Sequence, residues 1–137
     1  MNARSDADLI RDVIARYLAA YEAHDAEGCA AVYAGNGLVL SPWGPPVRGP
    51  KAIAKAHLAW FKEGETGKRM TIDDLMVDGD TGFCLLRYSA DVPEKSGAVS
   101  KVFGASLNTL QRQPDNSWKI RHTSLNELED GETGFTT

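Results

Sequence analysis

The chain has 137 residues and a formal net charge of -4, a length suited to one domain with a substantial core. The acidic balance argues against general affinity for nucleic-acid phosphates, which needs clustered Lys and Arg. No stretch approaches the roughly 20 apolar residues of a membrane span, and residues 1–8 carry charges without an apolar signal-peptide core, so a soluble, cytoplasmic protein without a membrane partner is expected.

Leu9, Ile10, Val13, Ile14, Tyr17, Leu18 and Tyr21 recur at helical spacing behind a Ser5–Asp8 capping pattern, which predicts a first helix over about 6–23. Asp25 is placed to cap a second, shorter helix running to about residue 34, and Cys29 within it is expected to be a buried thiol. Gly35, Asn36 and Gly37 break the chain, and residues 38–40 form a short strand. Ser41-Pro42-Trp43-Gly44-Pro45-Pro46 predicts a stiff loop. A third helix opens at Arg48-Gly49-Pro50 and runs to about residue 62. Ile53, Ala56, His57, Trp60 and Phe61 share one of its sides, which places a histidine on an apolar stripe.

From Arg69 the period changes to two, and strands are expected over 69–77, 83–91, 99–112 and 118–125. Cys84 in the second of these is again expected to be buried. Helices followed by consecutive strands, without βαβ alternation, predict an α+β fold with three helices covering one face of an antiparallel sheet. In the 99–112 strand, Ser106, Asn108 and Leu110 share one face and Phe103, Ala105 and Leu107 the other, so a second subunit is expected on the outer face, giving a homodimer. Residues 1–126 make the domain, and 127–137 an acidic, glycine-containing tail.

Arg16-Tyr17-Leu18-Ala19-Ala20-Tyr21, His24-Asp25, Val32-Tyr33-Ala34, Ser41-Pro42, Arg48-Gly49 and Ala52-Ile53 resemble the opening of the ketosteroid isomerase and SnoaL-like group within the nuclear-transport-factor-like superfamily. Trp118-Lys119-Ile120-Arg121-His122 resembles the last strand of its small bacterial members of unassigned function. The resemblance implies a cystatin-like cone, a strongly curved sheet wrapped around the first helix with a pocket at one end. That fold carries isomerases, cyclases, dehydratases and hydrolases as well as non-catalytic association modules.

The isomerases use a carboxylate base and two donors to an enolate oxygen. By resemblance Tyr17 takes one donor position and Asn108 the other, whereas Ser41 stands where the base Asp would be. A paired-donor site without its base favours binding of an apolar ligand bearing a carbonyl or hydroxyl. Both residues also have a purely structural reading, Tyr17 as a core tyrosine and Asn108 as a buried amide.

Two histidines are candidates for acid–base work. His122 alternates with Ile120 and Trp118 and is expected to face the pocket, and His57 lies on the third helix's apolar side. Asp74, expected on the face of Ile72 and Met76, would orient either imidazole, while a histidine bonded to a backbone carbonyl is the structural alternative. Trp43, Trp60 and Phe61 are candidates to wall an apolar cavity. The histidine spacing fits no metal site and the glycines no phosphate loop, so neither metal nor cofactor is expected. The charges of Lys62-Glu63, Lys68-Arg69 and residues 127–130 are expected on the solvated surface.

Overall fold

A computed structural model describes residues 4–129. Helix α1 (Asp6–Glu22) starts where Ser5 Oγ accepts from the Asp8 amide at 3.1 Å, and α2 (Ala26–Ala31) where the Asp25 carboxylate accepts from Gly28 N at 3.0 Å. Both caps are the expected ones. The second helix is shorter than its spacing suggests, because Val32 O already accepts from Ile120 N at 2.9 Å and draws the chain into the sheet.

Six strands follow or intervene: β1 (Tyr33–Ser41), β2 (Gly44–Arg48), then α3 (Pro50–Lys62), β3 (Thr66–Asp78), β4 (Thr81–Pro93), β5 (Val99–Arg112) and β6 (Trp118–Leu128). The sheet order is β2-β1-β6-β5-β4-β3. The segment expected as a stiff loop is therefore a tight turn at Pro42-Trp43 followed by a strand. Pro45 and Pro46 are tolerated because β2 lies at the sheet edge, where a missing N–H interrupts no interior ladder. Neighbouring strands pair antiparallel except β1 with β6, which run parallel because the β1–β2 hairpin and α3 intervene before the meander.

The helices cover the concave side of this curled sheet. Ile10, Val13 and Ile14 of α1 and Ile53 of α3 share a buried cluster with Cys84, Leu86, Leu110, Trp118 and Ile120. A second cluster joins Tyr21, Ala26, Cys29 and Phe61 where the three helices meet. Both cysteines are buried and unpaired, and burial pushes their thiols up to about 12 for Cys29 and about 11 for Cys84.

Two bulges reset the alternation of side chains. Between β5 and β6, Thr109 pairs with His122 but Leu110 pairs with Ile120, so Arg121 is the extra residue, and its guanidinium reaches the Asn36 carbonyl at 2.8 Å. Ile120 and Thr123 face inward in consequence, and His122 faces out. The expectation that His122 shares the apolar face of Ile120 is thus corrected. Between β3 and β4 the extra residue is Asp73, which bonds Arg87, and it separates inward Ile72 from Asp74, paired beside outward Leu85. Asp74 therefore does not share the face of Ile72. Glu127 and Leu128, expected in the tail, are the last residues of β6, and the tail from residue 130 lies outside the described residues. No described helix is long and apolar enough to cross a membrane.

Candidate functional site

Two neighbouring cavities with shared walls occupy the cone. The inner one, about 30 Å³, is lined among others by Tyr33, Leu86, Ser106, Asn108 and Ile120. The outer one, about 420 Å³, opens at the mouth between Trp43, Trp60, Val102, Phe103 and Glu127. Tyr17, Lys68, Tyr88 and Leu125 border both. Leu125 points inward only because of the Arg121 bulge.

At the narrow end the polar groups satisfy one another. Thr123 Oγ1 donates to Asn108 Oδ1 at 2.7 Å, so it must accept from the Tyr33 hydroxyl at 2.8 Å. The Asn108 amide nitrogen donates to Ser106 Oγ at 3.0 Å and to the Cys84 and Ser106 carbonyls at 3.3 Å. Asn108 thus borders the cavity while its amide is bonded within the protein.

Tyr17, on α1, meets His57, on α3. His57 Nδ1 lies 2.8 Å from the Ile53 carbonyl, which can only accept, so the proton sits on Nδ1 and Nε2 accepts from the Tyr17 hydroxyl at 2.8 Å. This is the backbone-bonded histidine that a helical apolar stripe favours. Tyr17, Tyr21, Trp60 and Phe61 rings surround the imidazole, with Trp60 nearest at 4.7 Å between centroids. Burial in that cage lowers the His57 pKa to about 4. Burial likewise raises the Tyr17 hydroxyl well above its ordinary value. The pair is neutral, with the tyrosine's proton committed to the imidazole.

Lys68 corrects a sequence expectation. It was expected at the surface beside Arg69, yet its side chain is only 10% exposed, with Nζ 3.4 Å from Glu65 Oε1. The ammonium position lies 4.1 Å from the Tyr21 ring centroid and 4.4 Å from that of Tyr88. Burial lowers the lysine's pKa, and Glu65 opposes that shift only in part. Tyr21 also donates to Glu65 Oε1 at 2.9 Å. The Tyr88 hydroxyl is buried and has no protein partner among the described residues. A Cβ at Gly104 would lie 2.1 Å from Tyr88 Cζ, so the ring takes its place because residue 104 is glycine.

Of the aromatic wall predicted from sequence, Trp43 and Trp60 border the mouth, edge-on at 6.2 Å, and Trp43 Nε1 donates to Glu127 at 2.6 Å. Phe61 instead fills the second helical cluster. Ser41 ends β1, where its Oγ accepts from Trp43 N at 3.3 Å, and borders neither cavity. His122 is exposed on the outer face, bonded to Thr109 Oγ1 at 2.6 Å. Sequence reasoning missed Lys68, Glu65 and Tyr88. The one available signal was the inward parity of Tyr88 with Cys84 and Leu86.

Comparison with known proteins agrees with this architecture. The family model for the SnoaL-like domain matches residues 14–133. A ketosteroid isomerase-like protein from Erwinia carotovora atroseptica superposes with a TM-score of 0.82 at 18% identity, over 93% of this chain and 100% of that one. An NTF2-like protein with a cystatin-like fold from Novosphingobium aromaticivorans gives 0.73 at 21% identity, over 93% and 84% respectively. An NTF2-like superfamily protein from Salmonella enterica gives 0.74 at 16%, over 93% and 96%. No curated protein matches the chain.

Proposed function

The chain belongs to the SnoaL-like domain family, and on that footing we propose that it is a small-molecule-binding protein whose cone takes a flat, largely apolar ligand bearing one carbonyl or hydroxyl group. The observation that carries this reading is the cavity of about 420 Å³ that narrows onto Tyr17, Lys68 and Tyr88. Its size suits a ligand of two fused rings, and aromatic and aliphatic side chains such as Trp43, Trp60, Val102, Phe103 and Leu125 supply apolar walls beside the charged Glu63, Glu65, Lys68, Lys101, Glu127 and Glu129. Ser41, at the position the resemblance gives to the isomerase base, is not a carboxylate and borders neither cavity.

The site's polarity differs from a simple pair of donors. Tyr17 gives its proton to His57, so toward the cavity it offers an acceptor for a ligand hydroxyl. Tyr88 offers an unspent donor for a ligand oxygen. Tyr17 has one acid–base route, taking a ligand proton while passing its own to His57 Nε2. An imidazole at about 4 is a weak base at neutral pH. Binding is therefore the stronger reading.

Titration with 2-naphthol, followed by quenching of Trp60 and Trp43 fluorescence, tests it. Saturable quenching is expected, and Tyr17→Phe should weaken it by about three- to tenfold, the worth of one hydrogen bond. Absence of saturable quenching in the wild-type protein would refute the reading.

A second copy of the chain against the outer sheet face is the accompanying proposal. Leu107 is 53% exposed there, next to Leu85 on β4, with Phe83 and Met76 exposed on the adjoining row. Sedimentation at micromolar concentration should give a dimer, and Leu107→Glu a monomer. A wild-type monomer would count against the association.

A further inference from the structure

We propose that Lys68 captures an aldehyde ligand as an imine, with Glu65 moving the protons and Tyr88 holding the carbonyl oxygen. This deepens the binding reading and rests on it. Four features converge on Lys68 Nζ. Lys68 borders both cavities, so a ligand in the larger one lies beside it. A carboxylate lies 3.4 Å away, within range for proton exchange as the side chains move. The rings of Tyr21 and Tyr88 hold the amine from two sides. Tyr88 is 8% exposed, and its buried hydroxyl lacks a protein partner among the described residues.

The same neighbours argue for a neutral electrophile over an anion. Glu65 already supplies the charge that balances an ammonium, so a ligand carboxylate would meet repulsion as well as attraction. Burial, the largest influence on this lysine, favours the uncharged amine, which is the nucleophilic form. The other ionisable groups acting on the pair include Tyr17, Tyr21, Tyr88 and Cys29, whose own pKa values burial raises so that they stay neutral, and His57, which is neutral as well.

The step balances without a co-reactant. Lys68 gives one proton to Glu65, and its lone pair adds to the carbonyl carbon as the C–O π pair moves to oxygen beside the Tyr88 hydroxyl. A proton passes from the new ammonium nitrogen to that oxygen, giving the carbinolamine. Protonated Glu65 then returns its proton to the hydroxyl, which leaves as water while the nitrogen lone pair closes the C=N bond. The iminium remains beside the Glu65 carboxylate, and one water is released per ligand.

Incubation of the intact protein with one equivalent of 2-naphthaldehyde and cyanoborohydride at neutral pH, followed by mass spectrometry and peptide mapping, tests the assignment. A single adduct is expected, at Lys68, at least tenfold above any other lysine. Excess 2-naphthol should suppress it without changing the background on surface lysines. Glu65→Gln should slow trapping by about a hundredfold, the low end for a lost acid–base group, and Lys68→Arg should abolish it while retaining the circular dichroism of the fold. Label spread evenly over the lysines, or no label while 2-naphthol still binds, overturns the role of Lys68 and leaves the binding reading intact. Failure of both trapping and 2-naphthol quenching overturns the two together.

Discussion

Replacing Trp118 with alanine is expected to lower the folding free energy by about 3–5 kcal/mol, the range for deleting a large buried aromatic. Trp118 is only 2% exposed and is the largest of the fully enclosed side chains. Its ring packs in the main core cluster with Ile10 and Leu110, and Gly82 provides the space, since a Cβ there would lie 2.6 Å from Ile10 Cδ1. Its indole also donates to Asp6 at 3.2 Å, and Arg112 lies over the ring while gripping the same carboxylate at 2.8 and 2.7 Å. The substitution therefore opens a cavity and loosens the tie between the start of α1 and the end of β5. Trp118→Phe should cost distinctly less, because it retains most of the apolar volume and loses the Asp6 bond. Urea unfolding of both variants measures the difference. A loss below about 1 kcal/mol for the alanine variant would mean that α1 settles into the space, which a close-packed interior does not readily permit.

Acid should destabilise the protein through His57. The ring's pKa is about 4 in the folded chain, against an ordinary 6.5. Between those values the unfolded chain binds a proton that the folded chain refuses, so stability falls as pH drops below about 6.5 and the loss is complete below about 4. At pH 4.5 the difference amounts to roughly 2–3 kcal/mol. Carboxylates titrate in part of the same window, so the comparison needs a variant. His57→Gln keeps a polar side chain without the titration, and the wild type should lose roughly 2–3 kcal/mol more than the variant between pH 7.5 and pH 4.5. Equal losses in the two proteins would show that the imidazole accepts its proton without penalty, in conflict with its aromatic cage. The same protonation would remove the acceptor for the Tyr17 hydroxyl and free that proton for a ligand oxygen.

The helices were legible because their signals are local. Ser5, Asp25 and Pro50 mark starts that depend on neighbours a few residues away, and the apolar spacing of α1 and α3 repeats within a turn. The inward set Ser106, Asn108 and Leu110 was legible for the same reason, since β5 pairs with β4 along its length without a register shift. The β2 strand was hidden by Pro45 and Pro46, whose missing donors matter only in a sheet interior. An edge position is a property of the whole sheet.

Chain-order alternation of apolar residues, turn residues and caps by themselves determined an α+β fold with three helices on one face of an antiparallel sheet, because each of those signals acts over one turn or one strand pair. The cone was implied by the family resemblance alone. The tertiary structure alone decided which polar groups meet. One extra residue at Arg121 turns His122 out to Thr109 and brings Thr123 and Leu125 in, and one at Asp73 separates Asp74 from Ile72. Such a residue leaves no local mark, since a bulge exists only relative to the partner strand. Lys68 likewise looks like a surface charge until Glu65, Tyr21 and Tyr88, drawn from a loop, a helix and the neighbouring strand, close around it. Burial of a charged group is set by what surrounds it in space, and long-range packing supplies that surrounding.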